Sequence, residues 1–212
     1  RLPFIKRFLK RNQITIRAVQ DISFTIKRGS IVGFIGSNGA GKSTTIKMLT
    51  GTLYPSSGKL EVNGEIPFKR SINFRKKISI VVGNKLQLFQ DVSAMDYFQL
   101  IGTLYEVEPA ILQERIQELS NLLNVKDQLY QQVRTLSLGQ KMKMEFIAAS
   151  LTSPEILFLD EPTIGLDIQS KKDIRTFLKK MNEECHTTII LTSHDMDDIS
   201  SVCDELDRKS VV

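Results

Sequence analysis

A glycine-rich stretch in the first quarter of the chain has the residue types and spacing of a phosphate-binding loop. It reads Gly36-Ser37-Asn38-Gly39-Ala40-Gly41-Lys42-Ser43-Thr44 and matches G-x-x-x-x-G-K-[ST]. Glycines let the backbone wrap closely around phosphates with several N–H groups pointing inward. The lysine of such a loop reaches the β- and γ-phosphates, and the hydroxyl after it can bind Mg²⁺. A chance match would occur in roughly 1% of chains of this length, so the stretch predicts binding of a nucleoside triphosphate.

Two adjacent carboxylates could supply the chemistry of hydrolysis. Asp160 and Glu161 directly follow the apolar run 156–159, which predicts a buried strand. Ligands of α/β sheets bind at the carboxyl ends of the strands. Asp160 would hold Mg²⁺ through water, and Glu161 suits a general base that polarises the attacking water. An acidic turn after a strand is common in isolation, but its pairing with the phosphate loop favours a catalytic interpretation.

Strands and helices alternate around these two motifs. Apolar runs predict buried strands at Ile31–Ile35, Ile78–Val82, 156–159 and 188–191, and half-buried strands at 19–26 and 59–62. Apolar residues at helical spacing predict helices over 43–50, 141–151 and 170–182. From Ser93 the pattern is helical, with Ser93 and Asp96 as an N-cap pair and Pro109 at the first position of a helix. We therefore expect an α/β fold with a mainly parallel core and a helical subdomain at about 91–150.

Composition limits the class of protein. The chain has 212 residues, of which 41% are hydrophobic, and it can bury a core as one large domain or two lobes. Its net charge of +5 permits a nucleic-acid or anionic-membrane partner without requiring one. No apolar run approaches the roughly 18 residues of a membrane span, so we expect no transmembrane segment. Cys185 and Cys203 lie in no paired motif, and we expect both to be reduced.

With these motifs in this order, the chain resembles the nucleotide-binding domain of ABC transporters. Leu136-Ser137-Leu138-Gly139-Gln140 is similar to the family signature L-S-G-G-Q, with leucine in place of the first glycine. Ile164-Gly165-Leu166-Asp167 resembles the D-loop, and His194 resembles the switch histidine. The resemblance covers nearly all of residues 1–212 as one domain, which we expect to be truncated at both ends. The sequences of the phosphate loop and of the motif at 136–140 are similar to those of exporters of drugs, polysaccharides or lipids.

This resemblance implies a fold, cofactors and partners. The fold would be a P-loop NTPase (RecA-like) core with an antiparallel β-subdomain and a helical subdomain. ATP and Mg²⁺ would be the cofactors, and hydrolysis would power a separate membrane permease from the cytoplasmic face of the inner membrane. No nucleic-acid partner is expected. The alternative is a soluble ABC ATPase that acts on ribosomes or nucleic acid.

The resemblance also assigns roles to residues in a dimer of two such subunits. Each ATP would lie between residues 36–44 of one subunit and Ser137, Gly139 and Gln140 of the other. Asp167 would bridge the subunits, while His194 would touch the γ-phosphate and orient the water. Local structure offers competing interpretations: Ser137 and Gln140 fit a capping box, S-x-x-Q, and Asp167 could cap the next helix. A capped helix start is itself an anion site, so both interpretations can hold.

Two positions depart from the family pattern. After strand 78–82 the family places a glutamine that senses Mg²⁺ and contacts the permease, whereas this chain has Asn84, with Gln87 as a displaced candidate. Asn84 keeps the amide but is one methylene shorter, so metal contact would need a water. The aromatic residue that stacks on adenine is also missing: Gln13 stands near its place, and Phe4 or Phe8 would have to reach in.

Both ends of the chain carry open hypotheses. The first 17 residues interleave apolar and basic side chains, which predicts a basic amphipathic helix at a membrane surface, a loosely ordered terminus or a loop that packs on the β-subdomain. Residues 207–212 break off where a further strand is expected. We hypothesise that they are a translated sequencing adapter, the alternative being a native polar turn that enters a strand.

Overall fold

Four parallel strands form the centre of the part of the chain, residues 17–203, that the computed structural model describes; of Asp198 only the backbone is described. In chain order they are β1 (Ile31–Ile35), β2 (Ile78–Val82), β3 (Ile156–Asp160) and β4 (Thr188–Ser193). Their order across the sheet is β1-β4-β3-β2. Because all four run the same way, β1, β3 and β4 deliver the predicted site residues to one edge of the sheet. The predicted runs of β1 and β2 are confirmed, while β3 and β4 extend one and two residues further.

Seven α-helices accompany the sheet within residues 17–203. They are α1 (Lys42–Leu49), α2 (Ile72–Lys77), α3 (Ala94–Leu104), α4 (Pro109–Leu122), α5 (Leu138–Ser150), α6 (Ile168–Cys185) and α7 (Met196–Ser200). Short 3-10 turns lie at Pro67–Lys69, Lys126–Gln128 and Val133–Thr135. The capping box of Ser93 and Asp96 starts α3, and Pro109 opens α4, as predicted. Helix α5 begins three residues before the predicted start, because Ser137 is its N-cap.

Strands β1, β3 and β4 are buried on both faces, as is usual in parallel sheets, whereas β2, predicted to be buried, lies at the sheet edge and only its Val81 is buried. Successive residues of β3 point to opposite sides: Leu157 and Leu159 enter one hydrophobic core, and Ile156 and Phe158 enter the other. The larger core also contains Phe146 of α5, and the smaller one packs against α1 and α2. Helices α3, α4 and α5 fill the region 91–150 that was predicted to be helical; its standing as a separate subdomain stays a prediction.

The two half-buried strands predicted at 19–26 and 59–62 are wrong. Residues 22–26 do alternate as expected, with Ile22, Phe24 and Ile26 turned toward the smaller core. Neither segment pairs into a ladder within the described residues, however, and the one antiparallel contact there is an isolated bridge between Val62 and Glu65. A strand needs a hydrogen-bonding neighbour as well as an alternating pattern, so the predicted antiparallel β-subdomain is not formed by these segments.

Two expected absences can be compared with the described residues. No helix between residues 17 and 203 is long and apolar enough to cross a bilayer. Cys185 is exposed and Cys203 is buried, and neither forms a disulfide within residues 17–203. Although the residue is exposed, partial desolvation of its thiol is the largest cause of a raised pKa at Cys185, so this thiol is a weak nucleophile at neutral pH.

Candidate functional site

The predicted phosphate loop joins the end of β1 to the start of α1. Residues 36–41 form the loop, and Lys42, Ser43 and Thr44 lie in the first helical turn. Gly41 is the N-cap residue, with a left-handed φ of 84°. A Cβ at Gly41 would lie 2.4 Å from the carbonyl oxygen of Ala18, so both conformation and space require glycine there. The loop therefore leads directly into the N-terminal end of α1, whose positive polarity favours the binding of anions.

Lys42 lies inside this loop rather than on its surface. Its side chain is 4% exposed, and its Nζ donates to the carbonyl oxygens of Gly36 at 2.7 Å and Ser37 at 3.1 Å. The Glu161 carboxylate oxygen Oε1 lies 3.6 Å from the same Nζ. The ammonium group is thus enclosed by acceptors that fix its position beneath the loop.

Ser43 and Asp160 meet at the edge of the sheet, as the sequence predicts. The Asp160 carboxylate oxygen Oδ1 accepts hydrogen bonds from Ser43 Oγ at 2.8 Å and from Thr192 Oγ1 at 2.7 Å. Thr192 of β4 lies opposite Asp160 of β3 and is fully buried. A hydroxyl beside a carboxylate is the oxygen donor set that Mg²⁺ prefers, so the residues fit this metal.

The backbone of Glu161 adopts an uncommon conformation. Its φ is +50°, in the left-handed region that non-glycine residues rarely occupy. The Glu161 N–H holds this turn by donating to the carbonyl oxygen of Thr192 at 3.1 Å and to Thr192 Oγ1 at 3.0 Å. On the other side, a Cβ at Gly83 would lie 1.9 Å from the Glu161 carbonyl oxygen. Such enforced backbone strain is typical of functional sites.

Glu161 and His194 are in direct contact. Glu161 Oε2 lies 3.0 Å from His194 Nδ1, and the two side chains are 21% and 50% exposed. Since Oε1 faces Lys42, the carboxylate bridges the phosphate loop and the histidine. The structure therefore brings Lys42, Glu161 and His194 into one cluster beside Ser43 and Asp160. Sequence reasoning identified all five but missed Thr192, whose only signal was a polar residue at the end of a buried strand.

Ser137 and Gln140 form the predicted capping box at the start of α5. Ser137 Oγ accepts from the Gln140 N–H at 3.2 Å, and Gln140 Oε1 accepts from the Ser137 N–H at 2.9 Å. Gly139 lies against α6, since a Cβ there would be 2.2 Å from Ser170 Oγ. Within residues 17–203, no hydrogen bond or ion pair joins this box to the phosphate loop. The capping interpretation holds, and the trans role stays a prediction.

Asp167 caps α6 as the sequence suggested. Its Oδ1 accepts from the Ser170 N–H at 2.8 Å, and its Oδ2 accepts from Ser170 Oγ at 2.7 Å. These two bonds, first the one from the Ser170 hydroxyl, hold the pKa of Asp167 below its usual value. The carboxylate therefore stays ionised at neutral pH and keeps its cap on the helix.

Comparison with known proteins identifies the family. A model of the ABC transporter family matches residues 19–164, more than half of the chain. The chain belongs to this family. The ABC transporter ATP-binding protein NatA of Bacillus subtilis is 32% identical over 201 residues, which are 95% of this chain and 81% of NatA. The linearmycin resistance ATP-binding protein LnrL of the same organism is 34% identical over 89% of this chain and 60% of its own length.

A solved structure extends the likeness to the fold. The protein cbiO1 from Clostridium perfringens, part of the ABC transporter complex cbiONQ, superposes with a TM-score of 0.77 at 30% identity. The match covers 88% of this chain and 76% of that chain. Together these findings confirm the P-loop NTPase fold and the ABC ATPase family that the motifs indicated.

The amide position that departs from the ABC pattern is now visible. Asn84 is exposed and follows Gly83, whose N–H donates to the Asp160 carbonyl oxygen at 2.9 Å. Gln87 Nε2 instead donates to the carbonyl oxygen of Ile80 at 2.9 Å, which draws this amide back onto β2. Asn84, with no hydrogen bond from its side chain to the rest of residues 17–203, is therefore the better candidate for the sensing position.

The remaining predictions fall outside the described residues. They concern the adenine-stacking candidates Phe4 and Phe8 with Gln13, the basic amphipathic segment at the N-terminus, and residues 207–212.

Proposed function

We propose that this chain is the ATP-hydrolysing subunit that drives a separate membrane permease. The single observation that carries the proposal is the contact of Glu161 with both Lys42 and His194 at the edge of the sheet. This contact supports the role of Glu161 as the base, because its carboxylate lies between Lys42, which would bind the γ-phosphate, and His194, which would orient the attacking water. The proposal places the subunit at the cytoplasmic face of the inner membrane.

Phosphate binding rests on residues 36–44. The inward N–H groups and the start of α1 would hold the phosphates, and Lys42 would exchange its bonds to Gly36 and Ser37 for phosphate oxygens. Ser43 Oγ and the Asp160 carboxylate, the latter through water, would hold Mg²⁺. The metal ion supplies neutralisation of the charge on the β- and γ-phosphates when it is bound.

In the proposed hydrolysis, Glu161 accepts a proton from the attacking water. Water bonds to the γ-phosphorus, the bond from that phosphorus to the β–γ bridging oxygen breaks, and the water proton passes to the Glu161 carboxylate. His194, held by Glu161 Oε2, orients the water and contacts the γ-phosphate. The contacts of Glu161 Oε1 with Lys42 and of Oε2 with His194 support this role, because they hold the carboxylate in one orientation.

The composite site requires a second subunit. Ser137, Gly139 and Gln140 would contact the γ-phosphate bound to the other subunit, and Asp167 would bridge the two. The capping box supports this arrangement because it fixes the start of α5, and the positive end of a helix favours an anion. Phosphates held by two subunits would close the dimer, and hydrolysis would reopen it.

Reconstitution tests the transport function. We propose an exporter of the drug, polysaccharide or lipid type, and the likeness to a linearmycin resistance protein supports the drug class. The neighbouring genes are searched for a polytopic membrane protein, and the chain is co-expressed with that candidate permease, purified as a complex and placed in liposomes. We expect the permease to stimulate ATP hydrolysis and substrate to leave the compartment that contains the ATPase. Stimulation by ribosomes or nucleic acid instead of the membrane protein would favour the soluble alternative.

Asn84 offers a separate prediction for this complex. Asn84→Gln is expected to raise the permease-stimulated ATPase rate a few-fold, because the longer side chain reaches the metal without a bridging water. Asn84→Ala should lower it. The measurement is steady-state phosphate release in liposomes, with Gln113→Asn on the exposed face of α4 as the matched control. If Asn84→Ala leaves ATPase and transport unchanged, the assignment is wrong and Gln87 is the residue to test.

A further inference from the structure

A buried glutamate lies where the pattern of α5 calls for an apolar residue. Glu145 is 4% exposed, and its neighbours Met144 and Phe146 are fully buried. Burial is the largest cause of the raised pKa of Glu145, which two backbone hydrogen bonds partly offset. A buried carboxyl is costly unless hydrogen bonds compensate for the lost water. A residue that breaks the local pattern in this way often serves function.

The partners of Glu145 belong to the loop that follows β2. Its Oε1 accepts from the N–H of Leu88 at 2.8 Å and also from the N–H of Gln87. Leu88 is buried, so its N–H would otherwise lack water as a partner. A single oxygen therefore satisfies two adjacent backbone donors and fixes the middle of the loop to α5.

The same loop, residues 83–92, contacts the candidate site at its start. At its end it contacts the segment that precedes the signature residues 136–140. Gly83 packs against the backbone of Glu161. At the far end, the N–H groups of Val133 and Arg134 donate to the carbonyl oxygens of Val92 and Gln90 at 3.0 and 2.9 Å. Glu145 binds the loop between these two ends, at Gln87 and Leu88, and lies about two turns along α5 from the capping box.

We propose that Glu145 is a positioning residue that makes the loop 83–92 and helix α5 move as one unit. A displacement of the loop then shifts the start of α5. In the same way, a displacement of the start of α5 shifts the loop and with it Asn84 and the backbone contact to Glu161. This proposal goes beyond the proposed function and rests on it only for its effect on ATPase rate. Its structural content is independent of catalysis.

Three variants separate the acceptor from the volume that it fills. Glu145→Leu removes the acceptor while keeping a side chain of similar size. Glu145→Gln keeps a carbonyl oxygen that can accept both bonds. Met144→Leu is the matched control, since it changes an adjacent buried side chain of α5 and leaves both hydrogen bonds between Glu145 and the loop in place. Should circular dichroism show that Glu145→Leu does not fold, Glu145→Met replaces it, because an unbranched side chain adapts to irregular space.

Amide hydrogen exchange of the full chain is the direct measurement. In Glu145→Leu we expect residues 83–92 to exchange about tenfold faster, as the loss of hydrogen bonds to a buried acceptor predicts. Residues 136–140 should follow, while Glu145→Gln and Met144→Leu stay near the wild type. Wild-type exchange of 83–92 in Glu145→Leu would overturn the proposal, as would a Gln variant that exchanges as fast as the Leu variant.

ATP hydrolysis is the second measurement and distinguishes positioning from general stability. We expect Glu145→Leu to lower kcat on the order of tenfold, because small misplacements of reacting groups are costly. KM for ATP should change little, since residues 36–44 are untouched, and Glu145→Gln should restore kcat. A rise in KM with unchanged kcat would contradict the proposal. A wild-type chain without ATPase activity would defeat the proposed function but leave the exchange result standing.

Discussion

Glu161→Gln is expected to bind MgATP and to hydrolyse it about 10²–10⁴-fold more slowly than the wild-type chain, which is the usual effect of removing a general base. The amide keeps the size of the carboxylate and can still contact His194, but it cannot accept the proton of the attacking water. Single-turnover release of phosphate measures the rate. Because uncleaved ATP persists, the variant should also remain a closed dimer in light scattering.

The control for this variant is Glu114→Gln, which removes a carboxylate from the exposed face of α4. It should hydrolyse ATP at the wild-type rate. If Glu161→Gln also keeps wild-type turnover, the base lies elsewhere. Slow turnover together with lost ATP binding would mean that Glu161 holds Lys42 in place instead of accepting a proton.

Mixed dimers are expected to recover activity from two inactive variants. Lys42→Ala removes the lysine of the phosphate loop, and Ser137→Arg fills the start of α5. In each homodimer both composite sites carry the same single lesion, and loss of one anion-stabilising donor typically costs about 10²–10³-fold in kcat. In a mixed dimer one composite site holds both lesions and the other is intact. Random pairing of equal amounts should restore about a quarter of the wild-type rate if one site turns over alone.

Ser137→Asp separates the trans role from the capping role. Aspartate is a good N-cap residue and preserves the start of α5, but it places a negative charge where the γ-phosphate of the other subunit would lie. We expect this homodimer to be nearly inactive and to be rescued by Lys42→Ala in the mixed assay. Ordinary activity in either Ser137 homodimer would leave capping as the whole function of the residue.

The parts of the fold that sequence predicted are those set by local or uniform patterns. Strands β1 and β2 were predicted at their observed bounds because each is a short, mostly apolar run that ends at turn residues. The two capping boxes were visible as residues three apart. The segments 19–26 and 59–62 failed because alternation indicates burial on one face but does not supply a neighbouring strand.

The candidate site divides in the same way. The phosphate loop, Asp160, Glu161 and His194 stand next to strands whose direction brings them together, so sequence found them. Contacts between distant segments were not visible. Thr192 meets Asp160 only through the register of β3 and β4, and Glu145 meets the loop after β2 only through the packing of α5. A polar residue in an apolar run was the sole signal for both.

Thr192 holds both Asp160 and Glu161 in position. Its hydroxyl donates to Asp160 Oδ1 and accepts from the Glu161 N–H, and its carbonyl oxygen accepts from that N–H as well. Asp160 and Glu161 are therefore both hydrogen-bonded to one residue of the buried strand β4, and a shift of Thr192 moves both of them. Their energetic contributions are for this reason not separable, and the free-energy effects of substitutions at the two positions are not expected to add.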